Sequence, residues 1–144
     1  MIWKIILWRW KYYIGQWKND VRNGKGIYYY SNGKIKYEGD WINNEHEGNG
    51  KYIYENDEYY IGEWKNGLRH GKGIVYYQNG KILYDGDFIN DKIEGNGKGI
   101  WEDGAYYIGQ YKNGLKNGKG RMYYKDGKIE IEGIWIDGKY EGNQ

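Results

Sequence analysis

Apolar and polar positions alternate along this chain in a phrase that returns six times. Tyr13-Ile-Gly15-Gln-Trp17 is followed by Tyr37-Glu-Gly39-Asp-Trp41, then by Tyr60/Gly62/Trp64, Tyr84/Gly86/Phe88, Tyr107/Gly109/Tyr111 and Ile131/Gly133/Trp135. A period of two marks a strand, and it sets Tyr13, Gly15 and Trp17 on one face with Ile14, Gln16 and Lys18 on the other. Nine residues after the central glycine comes Gly-x-Gly, at Gly24/Gly26, Gly48/Gly50, Gly71/Gly73, Gly95/Gly97 and Gly118/Gly120. This opens a second strand that groups Gly24, Gly26, Tyr28 and Tyr30 against Lys25, Ile27 and Tyr29. Asn32-Gly33, Asn79-Gly80 and Asp126-Gly127 punctuate the junctions between units as hairpin signals, and Asn56-Asp57 and Asp103-Gly104 fill the other two.

The central glycines at 15, 39, 62, 86, 109 and 133 lie alternately 24 and 23 residues apart, so the full period is a pair of repeats, 47 residues long. The expected fold is all-β: an elongated single-layer antiparallel sheet of tandem β-hairpins, with about 12 strands. At roughly 4.8 Å per strand it would form a curved ribbon about 55–60 Å long. Residues 12–142 hold the array, with repeats starting near 13, 37, 60, 84, 107 and 131. Residues 1–11 read as an N-terminal capping strand, because sliding back by 47 places Trp3, Ile5 and Leu7 on Gly50, Tyr52 and Tyr54. Residues 143–144 are a tail. The array stops after the first strand of its sixth copy, so Glu130–Ile136 is expected to be an edge strand that invites self-association through the sheet ends.

Composition fits a sheet without a second layer. Aromatics make up 19% of the chain, with 19 Tyr, 8 Trp and one Phe, beside 25 Gly and no Pro. Rings supply the buried area. Glycines, lacking Cβ, let neighbouring rings lie flat across the backbone. There is no Cys or Thr and only one Ser, Ser31, so disulfides, thiol chemistry and glycosylation sequons are excluded. The opening segment, Met1 to Lys11, has an uncharged core too short to span a bilayer and no cleavage site after it, which makes a cytoplasmic protein the expectation.

Catalytic readings fail in turn. Gly95-Asn-Gly97-Lys-Gly99 completes neither a Walker loop nor a dinucleotide fingerprint, and the repeat already accounts for its glycines. Ser31 has no nearby base. Glu45-His46-Glu47 resembles a metal cluster, but alternation sends the imidazole to the face opposite the carboxylates. The acids Glu38/Asp40 and Asp85/Asp87 are expected to pair across strands with Lys18, Lys65 and Lys112. No enzyme activity, cofactor or metal site is expected. A net charge of +2 is too small for a nucleic-acid binder.

The repeat closely resembles the MORN (membrane occupation and recognition nexus) family. Tyr60-Ile-Gly62-Glu-Trp64-Lys-Asn-Gly67-Leu-Arg-His-Gly71-Lys-Gly73 follows its consensus almost position by position. Asp20, Asn44 and Asp91 stand where the better copies carry Gly67, Gly114 and Gly138; Asn and Asp tolerate the same left-handed turn. Phe88, Tyr111 and Ile131 are further departures. Wall-binding choline or glucan repeats and the YD repeats of secreted toxins lack this order of motifs.

The resemblance implies a scaffold that grips a helical or extended segment of a partner protein, in a cytoskeletal, ciliary or membrane-junction assembly. Two surfaces are candidates. The aromatic face offers Tyr13, Trp17, Tyr28, Tyr60, Trp64, Tyr77, Trp101, Tyr107 and Tyr124 as a partner groove. The row of loops offers basic clusters in the odd copies, Lys18/Arg22/Lys25, Lys65/Arg69/Lys72 and Lys112/Lys116/Lys119/Arg121, recurring about every 20 Å. Val21, Leu68 and Leu115 lie beside them. The family's early association with phosphoinositides makes an anionic phospholipid surface the alternative partner, with the chain a membrane tether peripheral to the bilayer. A second alternative is a regulatory piece of a larger enzyme.

Overall fold

The computed structural model describes residues 2–8 and 11–143; Met1, Arg9, Trp10 and Gln144, which belong to the expected cap and tail, lie outside the described residues. Among the described residues, thirteen strands run in sequence order through one antiparallel sheet. They are β1 (Ile2–Trp8), β2 (Lys11–Lys18), β3 (Val21–Tyr29), β4 (Ile35–Ile42), β5 (Glu45–Ile53), β6 (Tyr59–Lys65) and β7 (Leu68–Tyr76). The second half continues with β8 (Ile82–Ile89), β9 (Lys92–Ile100), β10 (Tyr106–Lys112), β11 (Leu115–Tyr123), β12 (Ile129–Ile136) and β13 (Lys139–Gly142). Each repeat contributes two neighbours, as the alternation requires.

The tightest hairpins sit inside the repeats. Between β2 and β3 only Asn19 and Asp20 turn, with φ of 51° and 59°. Asn43/Asn44, Asn66/Gly67, Asn90/Asp91, Asn113/Gly114 and Asp137/Gly138 share this double left-handed signature, the backbone of a type I′ turn. The strands therefore run to the turn and absorb most of the segment expected to be a loop. Junctions carrying Asn32-Gly33, Asn79-Gly80 and Asp126-Gly127 are wider, closed for example by Tyr30 N–H on the Lys34 carbonyl and Gly33 N–H on the Tyr30 carbonyl.

The core is a spine of rings on one face. Trp17, Tyr13, Trp41, Tyr37, Trp64, Tyr60, Phe88, Tyr84, Tyr111, Tyr107 and Trp135 meet in that order, edge to face, with centroids 5.1–5.5 Å apart. Edge-to-face pairs are the geometry that ring quadrupoles favour. Tyr37, Tyr60 and Tyr107 are fully buried with no second sheet above them. Tyr13, Tyr37, Tyr60, Tyr84 and Tyr107 each lie flat over a cross-strand pair of glycines. A Cβ on Gly62 would lie 2.4 Å from the Tyr60 hydroxyl oxygen, and one on Gly73 would lie 2.2 Å from the Tyr60 ring. The Tyr60 hydroxyl donates to the Glu63 carbonyl at 2.9 Å, and Trp64 Nε1 donates to the Gly50 carbonyl at 3.2 Å.

Both ends depart from expectation. Ile2 pairs with Trp17 as Gly48 pairs with Trp64, so β1 fits the array on a shift of 46 residues, not 47. Lys4, not Trp3, takes the place of Gly50. A one-residue slip exchanges the two faces, which is why Ile5 lies beside Ile14 on the outer face and is 66% exposed. At the other end β13 adds a strand to the expected count. It covers Ile134–Ile136 of β12, so the expected edge strand is half paired.

Candidate functional site

Each of the first five hairpins widens by two residues where Gly-x-Gly arrives. Gly15 pairs with Gly26 but Trp17 pairs with Arg22, leaving one residue between the pairs on β2 and three on β3. In the first five copies the residue between the central glycine and the following aromatic repairs this bulge. Gln16, Asp40, Glu63, Asp87 and Gln110 accept the backbone N–H of Lys25, Asn49, Lys72, Asn96 and Lys119, at 2.7–3.0 Å. The acids Asp40 and Asp87 also pair with Lys25 and Lys72, their register partners on the preceding strand, and not with Lys18 or Lys65. The Lys72 ammonium beside Asp87 helps hold that carboxyl below its ordinary range, against the opposing effect of its burial.

Because the strands reach the turn, Arg22, His46, Arg69, Ile93, Lys116 and Tyr140 pair with Trp17, Trp41, Trp64, Phe88, Tyr111 and Trp135. They share the aromatic face. The Arg22 guanidinium lies 4.3 Å from the Trp41 centroid, Arg69 5.1 Å from Phe88 and Lys116 4.2 Å from Trp135. The His46 ring stacks on Tyr37 at 3.6 Å. Burial, reinforced by the Arg22 and Lys36 cations, drives the His46 pKa down to about 4, so the ring is neutral at pH 7. Glu47 accepts the Asn66 N–H at the next turn, apart from His46.

A groove of about 510 Å³ opens in this face between the first and second repeat pairs. Tyr28, Trp41, His46, Tyr52, Tyr54 and Trp64 wall it, with Arg22, Lys36 and Arg69 at its margins. The expected groove residues divide. Tyr13, Tyr60 and Tyr107 are locked in the spine and leave almost no surface for a partner. Tyr28 and Trp64 line the groove, Trp17 packs at the end of the spine, and Tyr77 donates to the Ile100 carbonyl. Trp101 and Tyr124 are 41% and 50% exposed, further along the face. The groove residues that sequence reasoning missed are Trp41, His46, Tyr52 and Tyr54 of the even copies, whose alternation places them on the same face.

The expected basic row divides too. Lys18, Lys65 and Lys112 flank the turns; Arg22, Arg69 and Lys116 belong to the aromatic face. Lys25, Lys72, Lys119 and Arg121 belong to the opposite face, where Arg121 pairs with Glu132 at 2.7 Å. The same opposite face carries exposed aliphatics along the turns. Ile42, Ile89 and Ile136 join Leu68, Leu115 and the half-buried Val21 on adjacent strands, between the lysines.

A family model for the MORN repeat matches residues 13–35, 37–58, 60–82, 84–106, 107–129 and 132–143. The chain belongs to the MORN repeat family. Its matched repeats coincide with the hairpins described above, and the MORN signature residues are the ring spine, the glycines beneath it and the bulge. No curated protein matches the chain.

Proposed function

We propose that this chain is a non-enzymatic scaffold whose aromatic face seats a segment of a partner protein, in a cytoskeletal, ciliary or membrane-junction assembly. The groove bounded by Tyr28, Trp41, His46, Tyr52, Tyr54 and Trp64 carries this reading. Its floor is the rigid spine, so little ordering cost falls on the scaffold when a segment binds, and aromatic walls are the usual anchors at interfaces. The chemistry of the face is that of recognition: tyrosines whose pKa burial raises, a neutral imidazole and cations resting on rings. Substituting Tyr52 and Tyr54 by Ser removes two walls but spares the buried spine. Proximity labelling in the native cell should then lose a defined set of neighbours that wild type keeps. An unchanged set would exclude the groove.

The turn row favours a second reading. Lys18, Lys65 and Lys112 stand beside aliphatic pairs Val21/Ile42, Leu68/Ile89 and Leu115/Ile136, recurring every four strands, about 19 Å. Such a row suits contact with an anionic phospholipid surface. Flotation with phosphoinositide vesicles at low salt, lost when Lys18, Lys65 and Lys112 become Glu, would support it. Failure to float would leave the groove as the working surface.

A further inference from the structure

The two repeat pairs that flank the groove are built alike but are charged differently. In the second pair, Arg69 reaches over the turn of the next repeat. Its Nε lies 3.1 Å from Asp91 Oδ1 and its Nη2 donates to the Asp91 carbonyl at 2.7 Å. In the first pair, Arg22 makes the same reach to Asn44, with Nε 3.3 Å from Oδ1 and Nη2 2.9 Å from the carbonyl oxygen. The backbones agree as well, with φ of 70° at Asn44 and 69° at Asp91. One guanidinium is answered by a carboxylate and the other by a neutral amide.

A second cation stands beside the unanswered one. Position 36, immediately before the spine tyrosine, is Lys in the first pair, and its counterpart in the second pair is Leu83, packed against the core. Lys36 Nζ and the Arg22 guanidinium lie 5.9 Å and 5.5 Å from the centroid of the same ring, Tyr28. Both line the groove, and among the described residues neither forms an ion pair. Two cations held over one ring, half withdrawn from water, repel each other and gain from an anion set between them.

We infer that Arg22 and Lys36 form a carboxylate seat in the groove, which takes an Asp or Glu side chain of the bound protein segment. This rests on the groove reading above and gives it a partner chemistry: an acidic residue at the Arg22 end, with apolar residues running along Trp41, Tyr52, Tyr54 and Trp64. At the Arg69 end the chain supplies its own carboxylate, Asp91, so no acid is called for there. The preference is directional and fixes which way a segment lies.

Asn44→Asp tests it, because Asp91 shows that the fold accepts Asp in this turn with its carboxylate on the arginine. A random-peptide display library is selected against wild type and against N44D, with binders mapped by competition against Tyr52→Ser. Wild type should enrich peptides with Asp or Glu at one fixed place relative to their apolar residues. Those peptides should bind N44D at least about tenfold more weakly, the worth of one charge-assisted hydrogen bond. Lys36→Gln should weaken them in the same sense. Groove binders with no fixed acid, or equal affinity for N44D, would overturn the seat and leave the groove reading standing. Recovery of no groove binder would overturn both. Phosphatidylcholine vesicles carrying phosphatidylinositol bisphosphate form the last arm. Binding to them that N44D abolishes would assign the seat to a lipid headgroup and overturn the protein-segment proposal.

Discussion

The Tyr60 ring shows what a glycine contributes when nothing covers a sheet. With no second layer, a ring can be buried only by lying down, and it lies on Gly62 and Gly73. Gly62→Ala puts a methyl carbon 2.6 Å from the Gly73 Cα and closer still to the Tyr60 hydroxyl, so ring and backbone must both move. The expected cost is about 1–3 kcal/mol in urea unfolding. Ile61→Val, on the exposed opposite face, should fall within about 0.5 kcal/mol of wild type. Equal midpoints for the two would refute the face assignment. His46 makes a second residue-scale case. Its folded pKa of about 4 lies below its ordinary 6.5, so the unfolded chain binds the extra proton between those values. Stability should therefore decline as pH falls from about 6.5 to about 4, and His46→Phe should flatten that portion of the curve. Asp87, whose pKa is depressed below 3.8, acts at lower pH and leaves the window readable.

At the scale of the element, the bulge explains why the position between glycine and aromatic is never apolar in the first five copies. Gln16, Asp40, Glu63, Asp87 and Gln110 differ in charge and length but perform one task, accepting an N–H that the ladder drops. Glu63→Leu should cost about 0.5–1.5 kcal/mol by releasing the Lys72 amide, seen as faster hydrogen exchange there. Copy six has Ile134 at this position. The repeating strands, their order and the aromatic face were legible from period-two alternation, and the Gly-x-Gly spacing announced the paired hairpins. The hairpin turn was not. In the sequence Asp20 and Asn44 pass only as tolerable substitutes for glycine, yet with Asn19 and Asn43 they form pairs of left-handed residues that make the two-residue turn itself. Leaving residues 19–23 as a loop between the strands sends Arg22 to a lipid-facing row. The strand carries it to the groove. The slip at β1 has a similar origin: the 47-residue offset follows the odd-even period, and a strand of six apolar residues and Lys4 does not distinguish 46 from 47.

For the whole molecule, the spine is a continuous line of ring contacts from β2 to β12. Hydrogen bonds and ring contacts join each strand only to near neighbours, so stability should be a sum of local terms with no global core to enforce cooperativity. Tyr60 touches Trp64 on one side and Phe88 on the other, which makes it the hinge between the two halves of the spine. Tyr60→Ala removes both contacts and leaves Gly62 and Gly73 open to water. The local loss should be about 3–5 kcal/mol, as for other large aromatic truncations. In a globular domain such a loss lowers one melting transition. Here the array should divide: calorimetry of wild type should give one transition, and Y60A should give two, the halves melting apart. Hydrogen exchange should place the boundary at β6–β7, with protection retained beyond β4 on one side and β9 on the other. Trp135→Ala, near an end of the spine, should instead fray β12 and β13 and leave a single transition. One shifted transition for Y60A, with protection lost evenly from β2 to β12, would show that the sheet folds as a unit and that the ring spine is not its line of communication.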